Sequence, residues 1–308
     1  MPQSLNRRAL TGGLLATLSA SAAPLARAQA PQYGRVARRE SQYATTYIDR
    51  DGQYLTMRFG INRCLFTESR YNPGDPAELP IIYTQYMTAA LAYTPRAGRI
   101  VEIGLGGGRI ASYLHDFIPT TRVTCVELDP GVVDLAQRYF GVRPGPRMEL
   151  VTRDGRIYMA TSREDFDIIL VDAYQGTLVP FHLVTREFYT ILKRRLAAGG
   201  VVAQNIAPNV LDVNSMVATA RAVFQNVDLY HAGPSRVLMA YDGAAKSDAQ
   251  LLARANALQR AHDLRYPIAD MLGERRANVS TGGAQAFTDD FAPVGYYDRD
   301  RRCRADRG

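Results

Sequence analysis

The sequence predicts an α/β fold: a doubly wound, Rossmann-like sheet behind a small N-terminal β-domain. Three observations predict it. Apolar runs of strand length recur along residues 99–206, at Arg99–Ile103, Val123–Val126, Ile168–Val171 and Val201–Ile206. Helix-length segments separate them, at about 108–117, 131–140, 156–161 and 185–196, so the strands are joined by crossovers and lie parallel. Glu127, Asp154 and Asp172 each stand at or just beyond the end of a strand, the edge of an open parallel sheet where ligands bind.

The remaining elements follow in order. Residues 1–30 are expected to lie outside the fold. A basic start ending in Arg7-Arg8 precedes an apolar, small-residue run from Ala9 to Leu25, and Ala26-Arg-Ala-Gln-Ala30 offers a cleavage site. The arginine pair predicts a twin-arginine export signal, hence a periplasmic or extracellular protein. The run is too short and too rich in small residues for a stable membrane span. Residues 31–40 read as a polar linker. Residues 41–70 read as the β-domain, with strands at Tyr43–Ile48, Gln53–Phe59 and Asn62–Thr67, and a hairpin turn at Asp51-Gly52. A helix is expected over Glu78–Tyr93, closed by Thr94-Pro95. The main domain is expected over residues 71–295. After its fifth strand, Val201–Ile206, come a helix at 209–225, strands at Val227–Tyr230 and Arg236–Tyr241, a charged helix over Ser247–Asp263, and a turn at Thr288–Val294. Residues 296–308 form a charged tail.

The 308 residues carry a formal charge of +7. Removal of residues 1–30, with Arg7, Arg8, Arg27 and no acid, leaves about +4. The tail arginines alternate with aspartates and are read as a solvated segment, so no nucleic-acid partner is expected. Of the cysteines, Cys64, Cys125 and Cys303, none forms a CxxC pair, and no metal site is expected. Cys125 falls inside a buried strand. In an exported chain Cys64 and Cys303 are available to pair.

The chemistry concentrates at the strand ends. Glu102-x-Gly104-x-Gly106-x-Gly108 follows the first strand, and glycines there let the backbone approach a ligand closely. Glu127, at the end of the next strand, is placed to accept hydrogen bonds from ribose hydroxyls. Arg109 stands where a dinucleotide fingerprint has its third glycine, which favours a single nucleoside. Asp154-Gly155 suits an adenine amino group. Asp172, opening Asp-Ala-Tyr-Gln-Gly, is placed to hold or deprotonate an amine. His182 reads as structural.

The order of β-unit, helix, glycine turn, Val126-Glu-Leu-Asp, Arg153-Asp-Gly and Asp172-Ala-Tyr…His182-Leu-x-Thr-x-Glu-Phe-Tyr resembles the spermidine/spermine synthase (polyamine aminopropyltransferase) family. The likeness spans about residues 41–241 and 288–294. It implies a class I methyltransferase-like fold and a decarboxylated S-adenosylmethionine donor, whose aminopropyl group passes to a small-molecule amine. It also implies a homodimer by default. By resemblance, Glu127 binds the ribose, Asp154 the adenine, Asp172 activates the amine, and Tyr83 lines the site. Four positions depart from the family pattern: Ala44 for a glutamine, Thr84 for His or Gln, Gly107 for an aspartate holding the donor's amine, and Gln175 for the loop's second acid. Glu102 is the residue nearest to replacing the missing charge. Two other readings stay open: a methyltransferase using S-adenosylmethionine, and a non-catalytic nucleoside- or polyamine-binding protein.

Overall fold

The computed structural model describes residues 33–61, 64–176, 179–208 and 211–291. The expected export segment, the charged tail and Cys303 lie outside these residues. Strands β1 (Tyr33–Glu40), β2 (Thr45–Asp51), β3 (Tyr54–Ile61) and β4 (Cys64–Tyr71) form an antiparallel sheet in chain order. The segment 33–40, expected as a linker, is therefore the edge strand β1. Its residues are mostly exposed and polar, so no apolar alternation marks it. The ladder to β2 holds it, together with Arg35, which donates to Asp49 at 2.8 Å and lies 3.9 Å over the Tyr47 ring.

The helix expected over 78–93 is shorter. Only α1 (Ile82–Met87) is α-helical, and Thr88–Ala92 tightens into a 3-10 turn. Pro80 disfavours helical backbone at the residue before it. The Glu78 carboxylate is drawn instead to the N-terminal sheet, accepting from the Tyr54 hydroxyl at 2.9 Å and the Asn72 amide at 2.7 Å.

Among the described residues, the main sheet has eight strands. β5 (Arg99–Ile103), β6 (Arg122–Glu127), β7 (Met148–Thr152), β8 (Phe166–Val171) and β9 (Leu196–Ile206) are parallel. β10 (Asn226–Ala232), β11 (Ser235–Tyr241) and the two-residue β12 (Arg275–Arg276) extend it antiparallel, in the order β12-β10-β11-β9-β8-β5-β6-β7. The expected crossovers are present as α2 (Arg109–Phe117), α3 (Pro130–Tyr139), α4 (Gly155–Thr161) and α5 (Arg186–Arg194). α6 (Val213–Arg221), α7 (Asp248–His262) and the short α8 (Ile268–Met271) complete the layers. α6 starts later than expected because Asp212 caps it, accepting from the Ser215 N–H at 2.8 Å. Ser247 and Gln250 close a capping box on α7.

Alternation along the strands divides the core. Ile100 and Ile168 pack with Ile110 and Leu114 on one face. Val101 and Ile169 pack with Phe188 and Leu192 on the other. The N-terminal sheet has its own core, in which Ile48, Met57 and Phe59 meet Val132 and Leu135 of α3. That contact fixes the small sheet over the C-terminal ends of the parallel strands. Cys125 is buried and free, as a small apolar residue, whereas Cys64 is disulfide-bonded.

One buried ion pair secures the far edge. Asp228, with no exposed surface, accepts from the Arg275 guanidinium at 2.7 and 3.0 Å, from the Tyr93 hydroxyl at 3.0 Å and from the Asn278 N–H at 3.0 Å. Arg275→Ala is expected to lower unfolding free energy by about 3–5 kcal/mol, since it leaves a buried carboxylate unpaired. Urea denaturation measures this, and a loss below about 1 kcal/mol would show that water replaces the guanidinium.

Candidate active site

In the parallel part of the sheet, β5 lies between β6 and β8, so the chain order reverses there and leaves a crevice at the strand ends. A cavity of about 620 Å³ opens at that point, closed from the other side by Phe59, Phe66 and Glu68 of β3 and β4. The backbone pins its floor. The Gly104 N–H reaches the Val126 carbonyl at 2.8 Å, and the Asp172 N–H reaches the Ile103 carbonyl at 2.9 Å.

Glu102, Gly104, Gly106, Glu127, Asp154 and Gly155 all line the cavity. Gly104 has φ +89°, and a Cβ there would stand 2.3 Å from the Asp172 carbonyl oxygen. Only glycine allows this approach. Glu127 accepts from the Leu105 N–H at 2.9 Å and the Asp129 N–H at 3.0 Å. These bonds aim its carboxylate and leave lone pairs for a ligand. Burial raises its pKa, and the surrounding N–H groups oppose that rise. Gly155 opens α4 with its Cα against Ile103, where a Cβ would come within 2.3 Å of Cγ2. Gly108, expected to touch the ligand, is not among the residues lining the cavity. It is the N-cap of α2, packed on Leu105 and Val142, so it shapes the turn from below.

Asp154 is already occupied on both oxygens. One caps α4 through the Ile157 N–H at 2.9 Å, and the other lies 2.8 Å from His182 Nε2. The His182 bond holds the Asp154 carboxyl below its ordinary pKa. His182 thus partners a candidate site acid, which the sequence reading as a structural histidine did not foresee.

At the other end stand the predicted catalytic residues. The Tyr83 hydroxyl donates to Asp172 Oδ2 at 2.9 Å, and the Asn205 amide donates to Oδ1 at 2.9 Å. Both bonds orient the Asp172 carboxylate. Burial raises its pKa while the two donors oppose the rise. Burial and the adjacent Asp172 push Tyr83 well above the ordinary tyrosine value, so it remains a protonated donor. Sequence reasoning missed Asn205. Its signal was the polar pair Gln204-Asn205 closing an otherwise apolar strand.

Three of the four departures have structural roles. A Cβ at Gly107 would lie 2.4 Å from Ser69 Oγ and 2.5 Å from Phe140 Cδ1, so an aspartate has no room there. Gln175 donates its side-chain amide to the Tyr43 carbonyl, a bond that a carboxylate could not donate. Thr84 turns its hydroxyl to the Ile81 carbonyl at 2.5 Å.

The cavity is acidic. Glu102 is 2% exposed, its Oε2 has no hydrogen-bond partner among the described residues, and burial raises its pKa well above the ordinary value. Glu68, also missed from the sequence, accepts from the Gly176 N–H at 3.0 Å. Burial pushes it up to about 8, opposed by that N–H and reinforced by Asp172 and Glu127. The one Lys or Arg among the described lining residues is Arg109. Its guanidinium donates to the Phe140 and Pro76 carbonyls and lies 4.5 Å over the Tyr71 ring. Among the described residues, no group of three His, Cys, Asp or Glu is arranged to hold a metal ion, and no helix is long and apolar enough to cross a membrane.

Residues 82–233 match the model of the spermine/spermidine synthase domain. The polyamine aminopropyltransferase of Vibrio vulnificus is 32% identical over 185 residues, covering 58% of this chain and 62% of that protein. The chain thus spans less than two thirds of that relative's length. A probable spermidine synthase from Corynebacterium glutamicum superimposes with a TM-score of 0.67 at 23% identity, over 86% of this chain and 99% of that one. Human methyltransferase-like protein 13, solved with SAH, superimposes with a TM-score of 0.53 at 25% identity, over 59% of this chain and 92% of that one. The fold is the class I methyltransferase-like α/β fold with an N-terminal antiparallel sheet, and residues 82–233 carry the likeness to the spermine/spermidine synthase domain.

Proposed function

We propose that this protein binds a decarboxylated S-adenosylmethionine-type donor and transfers its aminopropyl group to a small-molecule amine. The observation that carries the reading is the Tyr83–Asp172–Asn205 constellation at one end of an acidic cavity whose other end holds the glycine turn and Glu127. An amine attacks only when it is deprotonated. Asp172 accepts that proton, with its carboxylate held by Asn205 and Tyr83 at the reacting end. The donor supplies a sulfonium as leaving group. The amine nitrogen forms the new C–N bond, the C–S bond breaks, and its electron pair leaves on sulfur as a neutral thioether. Glu127, the Gly104–Gly106 backbone and Asp154 receive the nucleoside, the last on exchange of its His182 contact. Holding both reactants in one cavity supplies proximity.

The human methyltransferase's complex with SAH favours a second reading, methyl transfer from S-adenosylmethionine. The nucleoside contacts would serve either donor. The donors differ by an α-carboxylate, and the acids Glu102 and Asp172 lining the cavity disfavour that group. A homodimer accompanies the proposal as the family default.

Residues 1–30 act as a twin-arginine export signal in this reading, which places the protein in the periplasm or outside the cell. The arginine pair, apolar run and cleavage site support it. Because that route carries folded proteins, it would permit loading with a nucleoside before export. Arg7→Lys/Arg8→Lys is expected to retain the protein in the cytoplasm on cell fractionation; unchanged export would point to another route.

Asp172→Asn is expected to lower kcat for aminopropyl transfer about 10²–10⁴-fold while methylthioadenosine binding, followed by calorimetry, stays unchanged. Equal activity of variant and wild type would remove Asp172 from the proton transfer. Activity depends on ionised Asp172, whose folded pKa is raised. The kcat/KM profile should therefore rise with pH on an acid limb displaced above the ordinary aspartate range. A limb at the ordinary value would contradict a buried base.

A further inference from the structure

The acids that the family pattern places at 107 and 175 are absent, and the cavity contains a further carboxylate, Glu68. Glu68 lies on β4 of the N-terminal sheet, on the opposite wall from the parallel strands. Its position relates to both departures. The neighbouring Ser69 fills the space a side chain at Gly107 would take, with Oγ 2.4 Å from the Cβ position. Glu68 itself accepts from the N–H of Gly176, the residue after Gln175, at 3.0 Å. One strand of the small sheet thus closes the first position and reaches the second.

The charges around Glu68 are of its own sign. From β8 and the loop after it comes Asp172, and from β6 comes Glu127. Tyr83 of α1 also faces it and stays neutral. Arg109, the one strong cation among the described lining residues, is engaged by two backbone carbonyls and the Tyr71 ring. Glu102 independently leaves a buried carboxylate oxygen without a hydrogen-bond partner among the described residues in the same cavity. Uncompensated buried carboxylates are costly, and a cation is the ligand that offsets them.

The geometry points to Glu68 as the residue that receives a substrate's primary ammonium group, making the cavity selective for a donor that carries an amine without an α-carboxylate. This rests on the proposed function and names the residue that sets its donor specificity. Contact with the ammonium also makes binding proton-linked. The Glu68 carboxyl, pushed up to about 8, is largely protonated at pH 7 in the free protein. A cation beside it favours the charged form, so binding at pH 7 releases a proton.

The test is calorimetric titration of the full chain and of Glu68→Gln with decarboxylated S-adenosylmethionine, S-adenosylmethionine and methylthioadenosine. Runs at pH 7 in buffers of different ionisation enthalpy count protons. Glutamine keeps an acceptor for the Gly176 N–H. Methylthioadenosine has no amine and reports on fold and nucleoside pocket alone. The expected result is unchanged methylthioadenosine affinity, a loss of about tenfold or more for the decarboxylated donor, a narrowed preference over S-adenosylmethionine, and less proton release. Equal donor affinity and proton release in both proteins, with methylthioadenosine still bound, would overturn the role of Glu68 alone. Failure of the wild type to bind any of the three would overturn the proposed function, and this role with it.

Discussion

The close approach of Gly104 to the Asp172 carbonyl is the constraint on which the site depends. It sets the end of β5 against the end of β8, and it requires a residue without a Cβ. Two backbone hydrogen bonds fix the same junction, from Gly104 to β6 and from Asp172 to β5. The turn proposed to receive the nucleoside and the acid proposed to meet the amine are thereby built on one piece of rigid sheet. A sulfonium displacement needs its nucleophile aligned with the breaking bond, and a rigid junction supplies that alignment better than two independent loops would.

The second constraint is electrostatic. Glu68, Glu102, Glu127 and Asp172 all have raised pKa values, with burial the first cause in each. Acids whose folded pKa lies above the unfolded value bind more protons folded than unfolded. Their contribution to stability is present at low pH and is lost as pH rises through the raised values. For Glu68 that window runs from the ordinary glutamate range to about 8. A cationic ligand reverses the sign locally, because it stabilises the ionised forms. The cavity is therefore least comfortable empty and alkaline, and best satisfied when it holds positive charge.

Much of the site was legible from the sequence because its logic is local. A strand followed by an acid reads directly, and Glu102, Glu127, Asp154 and Asp172 line the cavity as their strand-end positions imply. Gly108 did not, since three glycines in sequence do not say which faces the ligand and which caps the helix. What stayed hidden was contributed across long separations. Asn205 meets Asp172 only because β9 lies beside β8, and Glu68 arrives from a separate sheet. The strand β1 was missed for a different reason: an exposed edge strand held by Arg35, Asp49 and Tyr47 has no apolar period to detect.

The departures from the family pattern are better understood as a transfer of roles between walls than as decay. Gln175 and Gly176 bind the Tyr43 carbonyl and Glu68, so the loop after Asp172 is fastened to the N-terminal sheet. Ser69 and Phe140 occupy the space beside Gly107. An abandoned pocket has no ligand to offset the desolvation of several carboxylates, and replacing one of them with an apolar residue would stabilise the fold. Here the acids remain half-buried or buried and close enough to raise one another's pKa values. That arrangement is sustained most simply by a cation that binds among them, with the small sheet serving as part of the site.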